Sequence, residues 1–228
     1  MQPIIDLNEF RSLGVESTRI PAVIADRKIR FGLVGCGRIS YKHIEAFQAH
    51  HEFAELTAVC DNATEALRAA TQVTGATAYQ RYEELLADSS IDVVVLATPS
   101  GLHAEQGVAA AAAGKHVVTE KPMATRWNDG LRLVKACDEA GVRLFVVKQN
   151  RRNATLQFLK RAIEQKRFGR IFMVNLNVFW NRPQSYYDSA AWRGTWEFDG
   201  GAFMNQASHY VDLLDWLVGP VQSVHAFT

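Results

Sequence analysis

The sequence lacks any run of charge of one sign. Among its 228 residues, Lys and Arg number 25 and Asp and Glu 24, leaving a net charge of +1. No block of five like charges occurs, so the footprint of a nucleic-acid binder is missing and no nucleic-acid partner is expected. Long apolar runs are missing too. The longest strictly apolar stretch, residues 108–113, falls far short of the ~20 residues that cross a bilayer, and no membrane partner is expected. Residues 1–10 have no basic stretch leading into an apolar one. No secretory leader is readable there, and a cytoplasmic location is the expectation. Cysteine is scarce. Cys36, Cys60 and Cys137 cannot all pair within one chain, and they read as small buried thiols in a reducing compartment. No His or Cys set stands at ligand spacing, so no metal is expected.

What is present is 48% hydrophobic composition, enough for one large core or two smaller ones. Residues 1–27 show no sustained period, are punctuated by Pro3 and Pro21, and read as an N-terminal arm. From Lys28 the pattern changes. Short apolar runs without alternation recur at 29–34, 56–60, 92–97, 116–119 and 142–147, the style of parallel strands covered on both faces. Helical stretches lie between them. Asn62-Ala63-Thr64-Glu65 resembles a capping box opening a helix toward Gly75. Residues 102–113 end at Gly114, and Leu131, Val134 and Cys137 mark one face of a helix ending at Gly141. This alternation predicts an α/β fold, a Rossmann-type doubly wound parallel sheet of five or six strands over residues 28–150.

After a helix with Leu156, Leu159, Ala162 and Ile163 on one face, the style shifts. Residues 170–181 read as a long, partly alternating strand and 221–227 as the start of another. An aromatic-rich loop at 182–199 and a helix at about 202–218 lie between them. The expectation is an α+β open-sheet substrate domain over residues 151–228, cut off where a further strand would be under way.

Gly35-Cys36-Gly37-Arg38-Ile39-Ser40 follows a strand and opens a helix. Glycine there permits a tight turn and close approach of a pyrophosphate, whose charge then sits on the N–H groups of the helix N-terminus. Asp61 ends the second strand. A carboxylate there accepts from the ribose hydroxyls of NAD and repels the extra phosphate of NADP; the alternative is that it only caps the next helix. Thr119-Glu120-Lys121-Pro122 stands at the C-terminal end of another strand, the ligand edge of a parallel sheet. A lysine there can stabilise an alkoxide, although a Lys-Pro pair taken alone reads more readily as a surface loop. Beyond Gly200-Gly201, Asn205 and His209 are four apart on a helix and share a face, and Asp212 is placed to orient the imidazole.

Gly35-x-Gly37, Thr98-Pro99-Ser100 with His103, Glu120-Lys121-Pro122 and the helix carrying Asn205, His209 and Asp212 together resemble the glucose-fructose oxidoreductase/inositol dehydrogenase (Gfo/Idh/MocA) family. Order and separation match across residues 28–228. Asn205 stands where sugar and inositol dehydrogenases of the family often have Asp, which argues against a simple inositol dehydrogenase. Val147-Lys148-Gln149-Asn150-Arg151, Phe179-Trp180-x-Arg182-Pro183-Gln184, Tyr186-Tyr187, Trp192-Arg193-Gly194-Thr195-Trp196 and Asn205-Gln206-Ala207-Ser208-His209 are similar, within that family, to the bacterial UDP-N-acetyl-2-amino-2-deoxyglucuronate dehydrogenases.

That resemblance implies NAD-dependent oxidation of the 3-hydroxyl of UDP-N-acetylglucosaminuronic acid to a 3-keto sugar. The setting it implies is biosynthesis of diacetamido-uronic acids for surface polysaccharide, lipopolysaccharide included. It makes His209 the general base and Lys121 the cationic group that holds the oxygen. An unperturbed His titrates near ~6.5 and an unperturbed Lys near ~10.4, which suits those roles. Gly35, Gly37, Arg38, Ile39, Asp61, Thr98, Pro99, Ser100, His103, Glu120, Lys121 and Gln149 would hold NAD, with His103 and Glu120 at the nicotinamide end. Lys121, Arg182, Tyr187, Arg193, Asn205, Gln206 and His209 would meet the substrate. The family further implies 2-oxoglutarate as a hydride acceptor in some members, a homotetramer, and a chain longer than this one. Two alternatives stay open: a family dehydrogenase acting on another sugar or polyol, and a truncated, non-catalytic NAD-binding module.

Overall fold

The apolar runs become strands of one sheet. The structure, a computed structural model, describes residues 24–227; of the N-terminal arm expected over 1–27, residues 1–23 lie outside the described residues. The strands are β1 (Ile29–Val34), β2 (Ala54–Cys60), β3 (Thr77–Tyr79), β4 (Val93–Leu96), β5 (His116–Thr119) and β6 (Leu144–Val146). They lie in the order β3-β2-β1-β4-β5-β6, and every neighbouring pair is parallel. The chain winds outward from β1 to β3, returns to the middle, and winds the other way from β4. The order therefore reverses between β1 and β4, and the crevice beyond their C-terminal ends is where such sheets bind ligands. The sixth strand is β3, too short to announce itself in the sequence.

Helices cover both faces: α1 (Ser40–Ala49), α2 (Thr64–Thr74), α3 (Tyr82–Ala87), α4 (His103–Ala112) and α5 (Trp127–Ala140). Because successive strand residues point to opposite faces, β1 divides its side chains between two cores. Val34 packs with Ala58, Val94, Leu96, Val117, Leu133 and Cys137, and Leu33 packs with Ile44, Val59, Leu67 and Val95. Each fully buried Val, Leu or Ile among them contributes roughly 1.5–3 kcal/mol.

Two local expectations are corrected. The start of α2 carries no capping box. Its N-cap is Ala63, and the Asp61 carboxylate accepts the Ala63 N–H at 2.8 Å instead. The buried stripe of α5 is Gly130, Leu133 and Cys137, one position round from the expected face, with Leu131 and Val134 half-buried beside it.

The described residues fall into two compact units. One joins residues 24–147 to 182–205 and holds the sheet; the other joins 148–181 to 206–227. In the first, the aromatic loop holds a short helix, α7 (Gln184–Asp188). In the second lie α6 (Ala154–Glu164), started by Asn153 accepting the Thr155 N–H, and α8 (Ser208–Val218). The Lys160 ammonium donates to the Trp216 carbonyl at 2.7 Å, tying α6 to α8. The strands expected at 170–181 and 221–227 are not formed: both segments run without strand pairing. A strand holds only when a neighbour accepts its ladder of hydrogen bonds, and among the described residues every paired strand lies within 29–146. A π-helical turn, Phe203–Ala207, precedes α8.

Candidate active site

The loop after β1 begins with Gly35 at φ +92°. A Cβ there would meet the backbone of Ala97 at 2.7 Å, so only glycine lets β1 and the end of β4 close on each other. Gly37, Arg38 and Ile39 follow and are exposed, and nothing lies within 4 Å of a Cβ built on Gly37. Ser40 starts α1 with its hydroxyl on the Gly37 carbonyl at 2.6 Å. The Asp61 carboxylate reaches across from β2. One oxygen accepts the Cys36 N–H at 2.7 Å and the other accepts the Ala63 N–H. The helix-starting reading of Asp61 is thus seen, and the same side chain also braces the glycine loop.

At the end of β5, Glu120 is nearly buried and its N–H donates to the Leu96 carbonyl at 2.9 Å. His43 of α1 meets the Glu120 carboxylate at 3.0 Å. Burial alone would raise this carboxyl, but His43 and the neighbouring Lys121 outweigh it and hold Glu120 below the ordinary value. His43 was missed in the sequence; its signal is its position one turn into the helix that the glycine loop opens. His103, expected at the nicotinamide, is instead inside the protein at 1% exposure. Its ring nitrogens face the Pro122 carbonyl at 2.8 Å and the Thr98 carbonyl at 2.9 Å. Burial pushes its pKa down against the pull of both carbonyls and Glu120. One imidazole thus links the loop after β4 to the loop after β5. Thr98 is held further by its hydroxyl on Gln106 at 2.6 Å, Pro99 is half-buried and Ser100 buried.

Lys121 is met by a residue 84 positions away. Its ammonium donates to the Asn205 side-chain oxygen at 2.9 Å and to the Asn205 carbonyl at 3.0 Å. Asn205 is buried, and its amide nitrogen donates to Asp199, also buried. The second Asp199 oxygen accepts the Gly194 N–H at 2.8 Å. The segment bearing Asp199 is seated on the loop after β4. The Gly101 N–H donates to the Phe198 carbonyl at 3.0 Å, and a Cβ on Gly101 would come within 2.2 Å of the Glu197 carbonyl. Asp199 was missed in the sequence, although it directly precedes the glycine pair singled out there.

A cationic cluster gathers at Tyr186. The guanidinium groups of Arg38, Arg182 and Arg193 lie 5.9, 5.1 and 4.5 Å from its ring centre, and Arg193 donates to its hydroxyl at 2.8 Å. Tyr187 packs edge-on to Tyr186 at 5.2 Å. Such a set suits an anionic ligand: guanidinium groups bind phosphate and carboxylate in forked pairs.

The remaining candidates belong to the other unit. Gln149 is exposed in a turn at Gln149–Arg152, and Gln206 and His209 are half-buried. The Asp212 carboxylate, expected to orient His209, accepts from Arg151 through both oxygens at 2.9 and 2.7 Å, with Lys148 at 3.7 Å. A bidentate guanidinium is the stronger partner for a carboxylate.

Two family models match the chain: the oxidoreductase family with an NAD-binding Rossmann fold over residues 29–148, and the GFO/IDH/MocA C-terminal domain over residues 156–228. Among solved structures the chain is similar to the WlbA dehydrogenase from Bordetella pertussis in complex with NADH and UDP-GlcNAcA. Identity is 69% and TM-score 0.85, covering 87% of this chain and 57% of that one. The corresponding complex from Chromobacterium violaceum gives 64% identity and TM-score 0.86 over 88% of this chain and 58% of that one. Of the curated relatives, the inositol 2-dehydrogenase/D-chiro-inositol 3-dehydrogenase of Shouchella clausii (strain KSM-K16) is 34% identical over 83% of this chain and 53% of its own length. The chain spans about half the length of the curated relatives it matches.

Proposed function

The chain belongs to the GFO/IDH/MocA oxidoreductase family, and we propose that it serves the NAD-dependent oxidation of the 3-hydroxyl of UDP-N-acetylglucosaminuronic acid to the 3-keto sugar. The observation that carries the substrate is the pair Arg182 and Arg193 on Tyr186, with Arg38, a residue of the cofactor set, on the same ring. A substrate with a diphosphate and a carboxylate needs such a set, and the likeness to two dehydrogenases crystallised with NADH and UDP-GlcNAcA points the same way.

The residues present fit NAD. The open cradle at Gly37 leaves room for a pyrophosphate on the α1 N-terminus, and the Asp61 carboxylate suits ribose hydroxyls. Thr98, Pro99, Ser100, Glu120 and Gln149 complete the cofactor set in this reading, with His103 holding the loops rather than touching the ligand. Bound NAD supplies the hydride acceptor. Lys121, steadied by Asn205, holds the substrate oxygen and stabilises negative charge as it develops there. His209 takes the hydroxyl proton, a role assigned from the family resemblance. Tyr187, Asn205 and Gln206 contact the sugar. We place this step in the cytoplasm, in surface-polysaccharide biosynthesis, with 2-oxoglutarate reoxidising the reduced cofactor and a homotetramer as the working assembly.

The test is absorbance at the NADH band after adding UDP-N-acetylglucosaminuronic acid and NAD to the purified protein. NADH formation that depends on the sugar, and falls by about 10²-fold or more in Lys121→Ala and His209→Ala, is the expected result. NADH formed from another sugar or polyol, indifferent to UDP, would replace this substrate. NAD binding without any turnover would make the chain a non-catalytic NAD-binding module.

A further inference from the structure

We propose that Asp199 is a positioning residue for Lys121, acting through the Asn205 amide, which it orients and through which it supplies the ammonium with a negative countercharge. The inference rests on the reading of Lys121 as the group that holds the substrate oxygen. Its basis is a chain of three side chains whose polarity permits one arrangement. A carboxylate can only accept hydrogen bonds and an ammonium can only donate them. The amide between them must therefore turn its NH₂ to Asp199 and its oxygen to Lys121, as observed. The flipped amide would set oxygen against carboxylate and NH₂ against ammonium. Asp199 is 3% exposed and Asn205 6%, so water does not compete for either.

Asp199 is itself fixed. The Gly194 N–H donates to it, its own N–H donates to the Thr195 carbonyl at 3.0 Å, and the Glu197 and Phe198 carbonyls accept from Thr125 and Gly101. Among the described residues, Glu120 and His103 also interact electrostatically with Lys121, and His43 stands behind Glu120. Glu120 interacts with both His43 and Lys121, and Asp199 reaches Lys121 by a separate route, through the Asn205 amide.

The geometry also explains the residue at 205. A carboxylate there would stand against Asp199 with no donor between them, and like charges at such range cannot both stay ionised. Positions 199 and 205 act as one pair, a carboxylate and an amide. Exchanging the two should preserve the charge and the hydrogen bonds that either change alone disturbs.

The experiment compares the full chain with Asp199→Asn, Asn205→Asp and the exchanged Asp199→Asn/Asn205→Asp. Three quantities are measured: kcat, NADH affinity by fluorescence, and the rate of Lys121 acetylation at pH ~8 by peptide mass spectrometry. In Asp199→Asn, kcat should fall about tenfold or more with NADH affinity held within about twofold. Lys121 should acetylate faster, because only the neutral amine reacts and the lost charge no longer favours the ammonium. The exchanged protein should be at least about threefold more active than Asn205→Asp. Unchanged kcat and unchanged acetylation in Asp199→Asn would overturn the proposal. If Asp199→Asn fails to fold, an exchanged protein no better than Asn205→Asp overturns it equally. Should no variant, wild type included, oxidise the UDP-sugar while Lys121 reactivity still follows position 199, the proposed reaction fails and this inference stands.

Discussion

Asp61 shows how much one side chain decides. Its two oxygens join the loop after β1 to the first turn of α2, so the carboxylate is held in place beside the glycine loop. Asp61→Ala should weaken NADH binding by about tenfold or more and narrow the preference over NADPH, read by fluorescence titration of both. Unchanged affinity and preference would leave Asp61 a helix starter only. The thiols are the opposite case, groups kept inert. Burial, with Asp61 adding its charge, pushes Cys36 and Cys60 up to about 12, and burial beside Asp138 takes Cys137 to about 11. Iodoacetamide at pH ~8 should therefore label none of the three appreciably in the native protein and all of them after denaturation, counted by mass spectrometry. The sign for stability follows: with folded values above the unfolded ones, the stabilisation is whole below pH ~8.5 and is lost as pH rises toward 11 and 12.

Elements are held by contacts of two kinds. Apolar packing joins α5 to the sheet, with Leu133 fully buried, so Leu133→Ala should cost about 2–5 kcal/mol in urea unfolding. A cost below about 1 kcal/mol would mean that the core closes over the gap. Polar staples set the edges. The Asp92 carboxylate takes the Arg27 guanidinium at 2.6 and 2.8 Å and the Arg30 N–H at 2.9 Å, joining the start of β1 to that of β4. Chiefly through the Arg27 bond, its pKa is lowered to about 2. Its stabilisation is present above the ordinary carboxylate value and disappears as pH falls through about 2. Asp92→Asn should lower the urea midpoint at neutral pH, and the gap to wild type should close between pH ~4 and ~2. Gly101 serves the site. A methyl group there would push on the Glu197 carbonyl and shift the segment that bears Asp199 and Asn205. Gly101→Ala should lose activity by about 10²-fold while NADH binding stays within about threefold; equal losses in both would point to general unfolding.

For the molecule as a whole, the apolar surface of the second unit has a consequence. Phe172, Met173 and Phe179 are exposed, Phe179 to 90%. Monomers seldom show so many large apolar side chains in one stretch, and such surfaces associate. The protein should bind a hydrophobic dye strongly and self-associate with rising concentration in analytical ultracentrifugation. Phe172→Ser/Phe179→Ser should weaken both effects, and a dye signal unaltered by these changes would place the sticky surface elsewhere.

The sequence by itself determined the parts whose signal is local. Runs at 29–34 and 116–119 matched β1 and β5 to the residue, because a strand covered on both faces is mostly apolar and lacks alternation. Gly35, Asp61 and Glu120-Lys121-Pro122 stood out as candidates because each follows directly on a strand, at the edge where parallel sheets bind ligands. The family was readable because these local signals recur in a fixed order. Only the tertiary structure decided the rest. Lys121 and Asn205 meet across 84 positions, and no periodicity records a contact between groups so far apart in the chain. Asp199, His43 and the burial of His103 are of the same kind. The segments 170–181 and 221–227 carry strand-like composition yet form no strand, since pairing depends on a neighbour that a segment's own residues do not provide.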